Sequence, residues 1–232
     1  MGLFDKKYCD VCGNKIGLLG NRKLADGNLC KECAKKLSPL FSERRNSTVE
    51  EIKEQLNYRE ENKNAVAAFN VTRSLGNSTK VLLDDNAGKF IVTRDEDFKD
   101  SNPDVIDLSQ VTDCYVDIDE ARTELEQTDS RGNQMSYSPP RYIYDYDFYV
   151  VIKINSPYFD EIKFRLNKFS IETKVQIKKD NNESHYTECV HSDGLRHGGM
   201  NPMLTPIPAE YRECERLGEE IKAALTKQQQ ND

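Results

Sequence analysis

The chain has 232 residues, of which 37% are hydrophobic and 31% charged, with no tryptophan and a formal net charge of −7. That length holds one ordinary domain plus a small appendage, or two small domains, and the polarity predicts a modest core with long solvated loops. No apolar run approaches the roughly 20 residues a membrane-spanning helix needs, and the opening MGLFDKKYC has neither the apolar stretch nor the small-residue cleavage site of a signal peptide.

Residues 1–45 read as a metal module. Cys9 and Cys12 flank Asp10-Val11, with Gly13 next; Cys30 and Cys33 flank Lys31-Glu32. Two residues between cysteines let both sulfurs reach one ion, and a glycine after the pair frees the backbone to turn its amides toward a thiolate. The separation of the two pairs fits the spacing of a zinc site. Four cysteines fill the tetrahedron of a single Zn2+ and leave no position for a reactive water, so the expected role is structural. Asp26-Gly27 predicts a hairpin turn between the pairs. A short helix carrying Cys30 and Cys33 at its start, ended by Pro39, completes a treble-clef arrangement. The alternative, two redox CxxC pairs, wants a βαβ pattern that this stretch lacks. Lys6 stands where a myristoylation motif takes serine or threonine, so Gly2 is not read as an acylation site.

Residues 46–78 read as a connecting helix and linker. Ser47 with Glu50 suggests a capping box, and Val49, Ile52, Leu56, Val66 and Phe69 mark a sparse apolar stripe. The interior, residues 57–64, is polar on most faces, which predicts a helix bridging two bodies. Leu75-Gly76-Asn77-Ser78 reads as a turn.

Residues 79–228 read as an antiparallel β domain closed by a helix. Residues 81–83 and 89–93 flank a turn and predict a hairpin. Residues 95–107 read as loop. Residues 111–118 predict a strand with Thr112, Cys114, Val116 and Ile118 on one face, and residues 119–140 a surface excursion. Tyr142, Tyr144, Tyr146, Phe148, Val150, Ile152 and Ile154 alternate through the clearest strand. Residues 162–166 pair back on it, and residues 169–177 alternate more weakly. Residues 178–208 read as a long loop. Tyr211, Cys214, Leu217, Ile221, Ala224 and Leu225 predict a final amphipathic helix over 208–227.

Other chemistry is thinner. His185, Cys189, His191 and His197 could hold a second metal, but their spacing matches no standard ligand set, and a solvated loop is the plainer reading. Cys114 and Cys214 lie on apolar faces as small buried hydrophobes. The tyrosine ladder continues into aliphatic residues, so core packing is preferred to base stacking. No phosphate loop, nucleophile elbow or metalloprotease motif occurs. Residues 1–64 carry a net charge of +3 and the remainder −10. Only the front segment could attract nucleic acid, and the acidic body fits poorly against anionic lipid.

The segment MGLFDKKYCDVCGNKIGLLGNRKLADGNLCKECAKKLSP, with FSERRNSTVEEIKEQLNYREENK, resembles an uncharacterised bacterial zinc-ribbon-like domain found at protein N-termini. The resemblance covers residues 1–65, implies a metal site on Cys9, Cys12, Cys30 and Cys33, and implies no activity. From KVLLDDNAGKFIV to YRECERLGEEIKAAL the element order is similar to bacterial pleckstrin-homology-like (PH-like) domains, which implies a small curved, partly open barrel with a C-terminal helix. The expectation is an α+β, cytoplasmic, non-enzymatic protein with one structural Zn2+ that makes protein–protein contacts. Nucleic-acid binding through the basic module is the alternative.

Overall fold

The computed structural model describes residues 6–177, 189–190, 196–197, 202–203 and 208–226. The chain divides into two compact units, one from Met1–Tyr115, Val150–Phe164 and Glu219–Asp232, the other from Val116–Tyr149 and Arg165–Gly218. The whole is mixed α+β with antiparallel pairings, and among the described residues the sheets are open, with no pairing that closes a barrel.

The first unit begins with two short ribbons. β1 (Lys7–Tyr8) pairs with β2 (Lys15–Ile16), and β3 (Arg22–Lys23) pairs with β4 (Asn28–Leu29). A four-residue helix, α1 (Lys31–Ala34), follows directly. The helix α2 (Val49–Ala68) then starts at Thr48, one residue later than the box expected at Ser47 and Glu50. The Thr48 hydroxyl accepts from the Glu51 amide at 3.3 Å, and the Glu51 carboxylate accepts from the Thr48 amide at 2.7 Å. Ser47 instead donates its hydroxyl to the Glu43 carbonyl at 3.0 Å.

The polar interior of α2 is buried along one face. Its buried residues are Ile52, Gln55, Arg59, Asn62 and Val66, spaced three or four apart along one face. Polar side chains can line a buried face when their hydrogen bonds are met there. Asn62 donates to the Asn102 side chain at 2.8 Å and to the Pro103 carbonyl at 2.7 Å, and its own carbonyl oxygen accepts from the Val105 amide at 2.9 Å. Gln55 accepts from the Ser38 amide at 3.2 Å.

A four-stranded sheet follows, in the order β5 (Arg73–Gly76), β6 (Lys80–Asp84), β7 (Lys89–Thr93), β8 (Ile106–Asp107). Leu75 and Gly76, expected in a turn, end β5. The loop expected over 95–107 contains the helix α3 (Phe98–Ser101), stopped by Asn102 in the left-handed region at φ 50°. Val66, Phe69, Leu82, Ile91 and Phe98 form a core between α2, α3 and the sheet, with the Phe69 and Phe98 rings edge to face at 5.9 Å.

A second sheet is built on two long strands, β9 (Val111–Thr128) and β10 (Gln134–Ile154). Its path runs β11 (Glu161–Arg165), β10, β12 (Ile171–Ile177), β15 (Pro202–Met203), with β9 also on β10. In the second unit, the surface excursion expected over residues 119–140 is therefore mostly strand. Their turn is organised by Asp129, whose carboxylate accepts from the amides of Arg131 and Asn133 at 2.8 and 2.9 Å. In the loop segment, β13 (Cys189–Val190) pairs with β14 (Arg196–His197). The last helix, α4 (Ala209–Thr226), buries Tyr211, Cys214, Ile221, Ala224 and Leu225. Gly218 takes the buried place between Cys214 and Ile221, because a Cβ there would run into Val116; Leu217, expected in the stripe, is only half-buried.

Candidate metal centre

Cys9, Cys12, Cys30 and Cys33 come together although 17 residues separate the second from the third. Local turns aim each pair. Gly13 holds φ 74°, and its amide donates to the Cys9 carbonyl at 2.8 Å, which closes the first knuckle. Cys30 caps α1, its sulfur accepting from the Cys33 amide at 3.3 Å. The second pair thus sits at the start of a helix, where amides face the sulfur.

Asp10 joins the two halves. Its carboxylate accepts from the Asn28 amide at 2.6 Å, its amide donates to the Asn28 carbonyl at 2.9 Å, and the Cys30 amide donates to the Cys9 sulfur at 3.3 Å. Gly27 lies so close to Val49 and Asp10 that a Cβ would strike both. A side chain at residue 27 would displace Val49 of α2, the Asp10 carboxylate, or both.

All four sulfurs lie within 4.8 Å of one another, and Cys12 and Cys30 are 3.7 Å apart. A bonded pair would be near 2.05 Å, so these are free thiols, and four cysteines so placed could hold a metal ion. A tetrahedron with metal–sulfur bonds of about 2.3 Å has edges of about 3.8 Å, which the Cys12–Cys30 distance matches. The environment of the thiols is uneven. Burial opposes a charge on Cys9, but amides of Cys12, Cys30 and Val11 outweigh it and bring the pKa down to about 7. Burial first, then the neighbouring thiols, push Cys33 up. Thiols this close compete for ionisation, and a divalent cation ends the competition because each bond to it displaces a proton.

The cluster is also a small core. Cys9, Cys30 and Cys33 are buried with Ile16, Leu24, Leu29, Leu37 and Ile52, and Val11, Ala34, Phe41, Val49 and Leu56 pack against them. Ile52 and Leu56 belong to α2, so packing on the cysteines extends past residue 45. The apolar stripe of Val49, Ile52 and Leu56 is visible in the sequence, but its packing on the cysteines is not, and an aspartate in a knuckle is no motif for the Asp10 tie.

Among the described residues the four cysteines are the one cluster of potential metal ligands. Cys114 and Cys214 are buried, as expected, and burial raises both thiols, Cys114 to about 12. His185 and His191 lie outside the described residues; Cys189 and His197 are register partners on β13 and β14.

Residues 7–55 match the family described as a domain of unknown function (DUF4428). The match holds all four cysteines and ends in α2 beside Ile52. Neither the curated proteins nor the solved structures contain a match to the chain.

Proposed function

We propose that this is a non-enzymatic, cytoplasmic zinc-binding protein that mediates protein–protein contacts, its front end ordered by one structural Zn2+ on Cys9, Cys12, Cys30 and Cys33. Soft thiolates in a tetrahedral set favour zinc over hard cations, and four protein ligands leave no open position for catalysis. The treble-clef order of knuckle, ribbon and short helix belongs to the same reading, as does the likeness of residues 1–65 to a bacterial four-cysteine module. Antiparallel strands followed by an amphipathic helix support a PH-like organisation of residues 79–228.

One observation carries the contact role: the two-stranded arm of β9 and β10 has no buried residue from 119 to 138. An isolated ribbon is marginal in water. Long strands exposed on both faces offer edges and side chains for a partner to cover. Affinity purification of the full, zinc-loaded chain should recover a stoichiometric protein partner, and removing the arm tip should release it. A chain that emerges alone, with or without the arm, is not a contact protein. Native mass spectrometry of the same preparation should show one zinc per chain.

A further inference from the structure

Residues 17–20, Gly-Leu-Leu-Gly, join β2 to β3 in a tight turn closed by the Gly20 amide, which donates to the Gly17 carbonyl at 3.0 Å. Its base is fixed. Ile16 is buried in the cysteine-module core, and a Cβ on Gly20 would lie 3.4 Å from the Ile16 side chain. Its tip is open: Leu18 is 92% and Leu19 89% exposed, while Leu24, Leu29 and Leu37 of the same module are buried. Tight turns ordinarily carry polar residues at their tips. Two adjacent leucines in water contribute nothing to this fold.

The surroundings are cationic. Lys7 is the register partner of Ile16 and stands at the foot of the turn; Lys15 precedes it, and Arg22 and Lys23 follow. Arg44 donates to the Lys23 carbonyl at 3.3 Å. Burial, then the charges of Arg22 and Arg45, lower the Arg44 pKa, a sign of crowded like charge. No acidic residue occurs from 11 to 25. Among the described residues, none of Lys7, Lys15, Arg22, Lys23, Arg44 and Arg45 is in an ion pair.

We propose that this turn docks on an anionic lipid surface. Leu18 and Leu19 enter the boundary between headgroups and acyl chains, and the lysines and arginines at the base face the headgroup phosphates and carboxylates. A two-residue apolar tip enters a fluid interface without needing a matched pocket. Nucleic acid would satisfy the same cations, but it stacks on aromatic rings and has no use for two aliphatic side chains. The acidic remainder of the chain does not forbid this, since at physiological salt its repulsion fades over about 8 Å. The inference goes beyond the protein-contact reading and does not rest on it.

Co-sedimentation of the zinc-loaded full chain with vesicles tests it. Vesicles of two parts phosphatidylcholine to one of phosphatidylserine should carry the chain down, and pure phosphatidylcholine far less. The L18S/L19S variant, at unchanged zinc content, should lose about tenfold or more in partitioning. The Arg22→Gln/Lys23→Gln variant should lose severalfold and show a flatter salt dependence. Binding that survives L18S/L19S overturns the proposal, as does no binding to the anionic vesicles at low salt. Two further results would also sink it: duplex DNA or RNA that binds the chain while vesicles do not, and self-association abolished by L18S/L19S while vesicles are ignored.

Discussion

The guanidinium of Arg59 meets the carboxylate of Asp104 at 2.9 Å, with the two side chains only 8% and 2% exposed. Asp104 also accepts from the Ser38 hydroxyl at 2.7 Å, and a second nitrogen of Arg59 donates to the Asn102 carbonyl. One carboxylate thus ties the end of the cysteine module, the middle of α2 and the loop before β8. A buried ion pair adds little over an apolar pair of the same shape, but breaking it strands a charge. Asp104→Ala should therefore cost about 3–5 kcal/mol in chemical denaturation. The double change Arg59→Met/Asp104→Leu should cost well under the sum of the single changes. Additive costs would mean that the two groups do not act as a pair.

Removal of the metal should be felt first in the module. Residues 6–56 bury too little apolar surface to fold alone, and zinc binding supplies on the order of 10 kcal/mol in small four-ligand domains. A chelator should open residues 6–47 to proteolysis while the sheet of β5 to β8 stays protected. Cys12→Ser should act in the same direction by weakening zinc retention. Cys12 is exposed where the other three ligands are buried, so this change tests coordination with little loss of packing. An apo chain whose front end resists protease would remove the metal from the account of folding.

The cysteine module was legible because its signal is local and chemical: two pairs at fixed spacing admit few other readings. Strands β6 and β7 were legible from the turn residues between two short apolar runs, and β10 from its strong alternation. The polar middle of the α2 face was not. Ile52, Gln55, Arg59, Asn62 and Val66 recur at helical spacing, but a search for apolar periodicity passes over a stripe whose three middle members are polar. What buries them is the loop at 102–105, which no local pattern on α2 can announce. The strand content of residues 119–140 was hidden for another reason. No residue from 119 to 138 is buried, so alternation, which records one buried face, has nothing to record. In α4, Gly218 occupies a core position where close approach to Val116 excludes a side chain, and a scan for bulky apolar residues moves the stripe to Leu217.

Two glycines should respond differently to alanine. Gly13 holds φ 74° with open space where a Cβ would go, whereas Gly76 holds φ 103° with the Thr79 carbonyl in that space. Gly13→Ala strains only the backbone, at about 1–2 kcal/mol. Gly76→Ala adds a clash with main chain that cannot swing aside, so the β5–β6 turn must rebuild, at a cost above that of Gly13→Ala. Thermal melts of the two zinc-loaded variants rank them; equal losses would mean that the turn after β5 has more freedom than its geometry implies.

Cys114 makes stability depend on alkaline pH in a way that one substitution can isolate. The side chain is fully buried at the start of β9. Burial foremost, then the charge of Asp113, raises its thiol from 9.0 to about 12. The neutral form is therefore favoured by folding. Below about pH 9 both states keep the proton, and the contribution is constant. Between about pH 9 and 12 the unfolded chain has released a proton that the folded chain still holds, so stability falls as pH rises, by about 1.4 kcal/mol per pH unit for this group. Tyr58, which burial and then the charge of Asp104 push up, acts in the same direction only above its ordinary value of 10.0. Cys214, also raised by burial, adds to the slope between pH 8 and 10, so the share of Cys114 is the difference in slope between the parent chain and its variant. Cys114→Ala should start less stable at pH 8, from the cavity it leaves, and then lose stability with pH less steeply than the parent chain. Parallel slopes for the two proteins would show that Cys114 ionises as easily folded as unfolded, which its burial does not permit.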